Sequence, residues 1–292
     1  MDVDEAIIRL PGTHSSPEAY KMPEESFLMR TSTPRTRSVL FLPVLLLATA
    51  GCDIVTADLK HSETAEWRKT YELQPGGTVE ISNVNGRIQV EPSSGNTVEV
   101  VAKKTAKGGS AEDAKRALER IEIVDSSGPS GVRIETKVQR TGGWFGSSPN
   151  VQYSVRVPSG GQLKFSTVNG GVELRGISGD IYAETTNGGI NAREVGGSIE
   201  ASTTNGGVDI DLTQLGERGA RLECTNGGIS LRLPSDARAS ISASVSNGGI
   251  DTSGLNLDTT ESSRRRLEAQ LNGGGPQIRI EGTNGGIRIR SR

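Results

Sequence analysis

Large rings are scarce in this 292-residue chain: two Trp, four Tyr and four Phe, none of them after Tyr182. A wide globular core cannot be filled without them, so the interior must be thin and built from Ile, Val, Leu, Ala and Thr. Histidine is scarcer still. His14 and His61 both lie in the first quarter, which excludes histidine-dependent catalysis or metal binding beyond residue 61. Two cysteines, Cys52 and Cys224, cannot make a disulfide framework. Neither sign of charge dominates: 33 basic and 35 acidic side chains leave a net of −2, which points away from nucleic acid as a partner. Glycine is the one residue in excess, 38 in all, against about 7% in an average protein.

Long apolar runs are also few. Val39 to Leu47 is too short to span a bilayer as a mature helix and is interrupted by Pro43. Arg35 and Arg37 precede it, and Ala48-Thr49-Ala50-Gly51 leads directly into Cys52. The arrangement resembles a bacterial lipobox, in which the cysteine is acylated and the chain is cut just before it. Thr49 departs from the leucine usual at position −3, and the alternative is an ordinary secretory signal cut near Ala50. The expected organisation is a disordered or untranslated extension over 1–28, with Met29 or Met22 as the start. A lipoprotein-type signal over 29–51 and a tether over 52–65 follow. Asp53 fits retention in the inner membrane as well as an ordinary tether, so inner and outer membrane both stay open. Membrane attachment then rests on lipid at Cys52 alone.

What the glycines do is visible in a repeat, Asn-Gly-Gly followed by Val or Ile, with its asparagines at Asn169, Asn187, Asn205, Asn226, Asn247 and Asn284. The separations are 18, 18, 21, 21 and 37 residues. The last spans two periods, with a degenerate copy at Asn272-Gly273-Gly274, while Asn85-Gly86-Arg87-Ile88 stands alone upstream. Periods near 20 residues mean stacked units. Asn-Gly accepts positive φ, so each copy reads as a tight corner. Between corners apolar residues alternate (Val172, Leu174; Ile181, Ala183; Ile190, Ala192), the period of strands with one face inward. The expected fold is therefore mainly β: a single-chain β-solenoid of 18–21 residues per rung over 166–292. In it the asparagines form a structural turn column that shares amide hydrogen bonds from rung to rung. Cys224 falls on the inward phase as a small buried hydrophobe. The alternative is a meander of hairpins closed into a sandwich.

Residues 66–165 read as a small β-rich portion with one helix over about 110–121, capped by Ser110 and striped by Ala114, Ala117, Leu118 and Ile121. Gly142-Gly143-Trp144-Phe145-Gly146 reads as a hairpin tip.

The run from Val157 to Val172, the repeated Thr-Asn-Gly-Gly-Ile and the upstream Ile81 to Ile88 together resemble a bacterial adhesin-like β-strand-repeat family of formally unknown function. The resemblance covers about residues 70–292. It implies an extracytoplasmic right-handed β-solenoid and brings no catalytic residues. Family members often carry Asp at the second glycine of the repeat; Gly dominates here, which removes that acidic column and weakens the case for calcium binding.

No Ser/His/Asp or Cys/His set is available beyond the tether. Asp209 and Asp211 share one strand face, as the carboxylates of a polysaccharide-cleaving β-helix do, but a solvated face is the simpler explanation. Trp144 and Phe145 are a candidate contact tip. Arg264, Arg265, Arg266, Arg288 and Arg290 are a candidate basic surface, read either as protection of a free sheet edge or as a contact for anionic polymer or lipid headgroups. No metal and no cofactor are expected. The expected function is that of a lipid-anchored, exported, membrane-held module of the bacterial cell envelope, adhesin-like, binding or scaffolding rather than enzymatic, whose partner is an unidentified envelope protein or polymer. The alternatives are a polysaccharide-active enzyme and a regulatory partner of a membrane signalling system.

Overall fold

Alternation of Val, Ile and Leu with polar residues runs through almost all of residues 60–139 and 149–292, which the computed structural model describes. Those residues form nineteen strands in one sheet and a single helix. The first strands are β1 (His61–Glu72), β2 (Thr78–Asn85), β3 (Ile88–Pro92) and β4 (Thr97–Gly108). Helix α1 (Ala111–Glu119) follows. The Asp113 N–H donates to Ser110 Oγ at 3.1 Å, Glu112 and Asp113 face the helix dipole, and Ala114 and Ala117 are buried against the sheet. Next come β5 (Ile121–Gly128), β6 (Gly131–Val138), β7 (Asn150–Val157), β8 (Gly161–Asn169), β9 (Val172–Arg175) and β10 (Ser178–Asn187). Then β11 (Ile190–Asn205) and β12 (Val208–Asn226) are long enough to turn a corner. The chain continues with β13 (Ile229–Leu233), β14 (Ala239–Asn247), β15 (Ile250–Ser253), β16 (Leu257–Ser262), β17 (Arg266–Leu271), β18 (Gln277–Asn284) and β19 (Ile287–Ser291).

These strands stand in two ranks across one core. In the first, β5, β6, β2, β8, β10, the second halves of β11 and β12, β18, β14, β17 and β16 pair in that order. In the second the order is β1, β4, β7, β3, β9, the first halves of β11 and β12, β13, β19 and β15. Each Asn-Gly-Gly hands the chain from the first rank to the second. Parallel in-register pairing stacks like on like: Ile181, Ile199, Ala220, Ile278 and Ile241 make one inner column. Val172, Ile190, Val208, Ile229 and Ile287 make another, from the opposite rank. Nearly all are fully buried in one continuous cluster. Short β-branched side chains and alanines thus fill the gap that aromatics would have overfilled.

Four sequence expectations need correction. The Asn85 copy does not stand alone, because Asn85 pairs in register with Asn169 and β2 continues the ladder begun by β8. The boundary expected after residue 165 falls inside β8, which is paired on both sides. The stack is also not in sequence order. β18 sits between β12 and β14, so the Asn284 copy lies next to Asn226 and the Asn247 copy lies beyond it. The degenerate copy is no rung at all. Asn272, with φ of +51°, turns the chain from β17 toward β18, and its Nδ2 clamps the carbonyls of Ser235 and Ala237 at 3.0 and 2.8 Å.

The corner chemistry differs from expectation as well. Among the described residues only Glu194 and Asn272 carry positive φ without being glycine, so the repeat asparagines are extended strand residues. The first glycine of each copy carries the positive φ at Gly86, Gly206, Gly227 and Gly285, and in every copy it is required by a close approach as well: a Cβ at Gly188 would meet the carbonyl of Gly170, far inside the 3.0 Å that real Cβ atoms keep. At the second glycine, Gly189, a Cβ would stand 3.3 Å from the nearest carbonyl, so there the side chain is not excluded outright.

Candidate functional site

Along the corners the repeat builds two columns of hydrogen bonds. Asn169, Asn187, Asn205, Asn226 and Asn284 each donate from Nδ2 to the Oδ1 of the preceding rung, ending on Asn85, and Asn247 donates to Asn284. The distances run from 2.7 to 2.9 Å. Each interior amide spends one donor and one acceptor on its neighbours and keeps one of each for solvent or a ligand. Two residues upstream, Thr167, Thr185 and Thr203 donate to the carbonyls of Gly86, Gly170 and Gly188 at 2.8–3.2 Å. Cys224 takes the same place: its Sγ lies 3.1 Å from the Gly206 carbonyl. It is buried, and burial pushes its thiol up, so it serves as a weak threonine and not as a nucleophile.

The more specific feature lies on the outer side of the first rank. β11 and β12 lose register between Gly197–Leu215 and Ile199–Ala220, so residues 216–219 of β12 oppose Ser198 alone. This is where the 21-residue spacing puts its extra residues. The Arg218 N–H donates to Ser198 Oγ at 3.2 Å, and the guanidinium reaches two rungs back to Asp180 at 2.9 Å. The fold-over walls a cleft of about 400 Å³. Its floor is a cross-rung row of Lys164, Tyr182, Glu200 and Arg221, with Gln162 and Asp180 beside it. The Tyr182 hydroxyl donates to Glu184 at 2.7 Å, and this bond, helped by burial and nearby carboxylates, pushes it up to about 12. The ring is held neutral and half-buried, fixed in place by its own hydroxyl. Arg221 is spent on Glu223 and, at 3.9 Å, on Glu200. Lys164 makes no ion pair among the described residues.

A second, shallower trough runs along the second glycines, beside the ion pairs Arg87–Glu173 and Arg232–Asp209, each at 3.1 Å. Asp209 and Asp211 are thus not a free pair. Asp209 belongs to Arg232, and Asp211 Oδ1 stands 2.9 Å from Arg292 Nε without an aligned hydrogen bond. The five arginines are divided between the β16–β17 turn, the start of β17 and β19. Arg264 and Arg265 offer their carbonyls to the N–H groups of Ile250 and Val245, closing the last corner, while Arg290 on β19 pairs with Asp251 at 3.3 Å. Arg266 opens β17 opposite Ser244, and Arg288 stands between Ser230 and Asp251. Cys52, Trp144 and Phe145 lie outside the described residues. Among the described residues no group of three or more His, Cys, Asp or Glu is placed to hold a metal, and no helix is long and apolar enough to cross a membrane.

Residue-by-residue reading missed the Tyr182 cleft. Its signals were present, an aromatic on the outward phase and a spacing change from 18 to 21 residues, but only pairing shows that they meet.

Residues 68–290 match the family model described as Toastrack DUF4097. No curated protein matches the chain. Among solved structures, a candidate cell adhesion protein from Clostridium sporogenes is 12% identical with a TM-score of 0.41, over 79% of this chain and 100% of that one. A candidate adhesin from Bacteroides fragilis is 7% identical with a TM-score of 0.28, over 78% and 97%. A candidate lipid-binding protein from Parabacteroides distasonis is 11% identical with a TM-score of 0.22, over 79% and 97%.

Proposed function

The chain belongs to the Toastrack DUF4097 family, and on that premise we propose that it is a lipid-anchored β-solenoid of the bacterial cell envelope, an adhesin-like binding or scaffold module and not an enzyme. The observation that carries the reading is the cleft made by residues 216–219, where an otherwise regular outer face is broken to frame Tyr182 with polar side chains. Binding sites are concave and carry a few fixed polar groups, and this cleft has both. The solenoid reading is supported by the in-register parallel ladders that join successive repeats. Cleavage of a polysaccharide by two carboxylates needs both to face one space, one of them protonated. Asp209 and Asp211, each occupied by its own arginine, favour binding over that chemistry.

Two measurements test the proposal. A clickable palmitate analogue labels the wild-type chain in the membrane fraction and fails to label Cys52→Ala; equal label in both, or none in the wild type, removes the anchor. Isolated envelopes bind the purified full chain saturably; no saturable binding removes the module.

A further inference from the structure

Resting on that binding-module reading, we propose that the Tyr182 cleft takes an acidic pyranose, a uronate unit of an envelope polysaccharide. The charges around the cleft are nearly all spoken for: Asp180 by Arg218, and Arg221 by Glu223 and Glu200. Lys164 is the exception. Glu80, its neighbour in the ladder, pairs with Arg133 at 3.4 Å. An exposed ammonium with no carboxylate of its own among the described residues, one strand from an aromatic ring, asks for a ligand with one negative charge and one apolar face. A pyranose uronate has both. The C–H face of the sugar stacks on Tyr182, its carboxylate meets Lys164, and its hydroxyls find the Gln162 amide and the Asp180 carboxylate.

The same surroundings argue against a phosphate ester. A dianion would find one unpaired cation and stand close to Asp180 and Glu200. Nor does the cleft offer a free sheet edge for a peptide strand, since β8, β10 and β11 are paired on both sides here. Tyr182 is held by the Glu184 bond before any ligand arrives, so little side-chain freedom is lost on binding.

The test titrates the purified full chain with galacturonate, oligogalacturonate, neutral cello-oligosaccharide and inorganic phosphate, by calorimetry. Oligogalacturonate should bind more tightly than the monomer, and both far more tightly than cello-oligosaccharide or phosphate. Tyr182→Ala and Lys164→Gln should each weaken oligogalacturonate about tenfold or more. Tyr182→Phe, which keeps the stacking face and loses only the Glu184 bond, should retain most of the affinity. Arg279→Gln, three rungs from Tyr182 along the same row, should change nothing. Equal losses in Lys164→Gln and Arg279→Gln would mean diffuse charge attraction and overturn the inference. So would a Tyr182→Phe loss as large as that of Tyr182→Ala, or preference for phosphate. Failure to bind any uronate by a chain that still binds envelopes overturns this inference alone and leaves the module standing.

Discussion

Replacing Gly188 by alanine puts a methyl group against the Gly170 carbonyl, far inside the 3.0 Å that real Cβ atoms keep. That oxygen cannot move freely. It already accepts from Thr185 Oγ1 at 2.8 Å, and the Gly170 N–H donates to the Asn187 carbonyl at 3.0 Å. Relief means parting the corners of two rungs, which strains or breaks both bonds at roughly 1 kcal/mol each, with an overpacking cost of about 1–3 kcal/mol. The expected loss is about 3–5 kcal/mol. One residue on, Gly189→Ala places its methyl 3.3 Å from the Gly207 carbonyl, a tight but absorbable contact. The reduced freedom of its unfolded chain returns about 0.4–1 kcal/mol, so the net should lie near zero. Urea titration of both variants, with the slope compared to wild type, reads the difference. Amide exchange should show the Gly188→Ala damage centred on β8 and β10. Equal midpoints for the two alanines would refute the argument that close approach between rungs fixes Gly188.

Cys224→Thr restores the hydroxyl that the other rungs use and should leave the thermal midpoint unchanged or raised, whereas Cys224→Ala should cost about 1 kcal/mol. The native thiol should stay unreactive toward an aromatic disulfide reagent until the chain is unfolded. Glu194 holds φ of +55° where the rung before it has Gly176, so Glu194→Gly should stabilise by up to about 1 kcal/mol in urea titration. Asp125 accepts from Lys69 Nζ at 2.6 Å, and that bond holds its carboxyl below the usual carboxylate range. Its contribution is therefore present above about pH 4 and is lost as pH falls through the lowered folded value. Asp125→Asn should flatten the decline in urea midpoint between neutral pH and pH 3.

Much of this was legible in the residues. Alternation gave the strands, the 18-residue spacing gave the rungs, and Ser110 with its two acids marked the helix start. What stayed hidden is non-local. Asn247-Gly-Gly-Ile and Asn284-Gly-Gly-Ile offer the same edge to Asn226, so nothing in either copy says which one pairs with it; the 37-residue gap was the only hint. Asn-Gly was misread at its asparagine, whose propensity for positive φ is a local rule; the glycine after it does adopt positive φ at Gly86, Gly206, Gly227 and Gly285. Here the asparagine is held extended by amides above and below, and the glycine is imposed by a neighbouring rung. The cleft was hidden for the same reason, since Tyr182, Ser198 and Arg218 become neighbours only once the register slip in β12 is known.

The placement of β18 and β19 between older neighbours has a mechanical consequence. A stack built in chain order frays from its end when pulled. Here tension applied at residue 292 draws on β19, which is held between β13 and β15, and then on β18, held between β12 and β14. The first ladders to give way are internal, and the piece comprising β14 to β17 separates from a body that keeps β2 to β12 stacked. A load on that end is therefore borne by a seam inside the molecule.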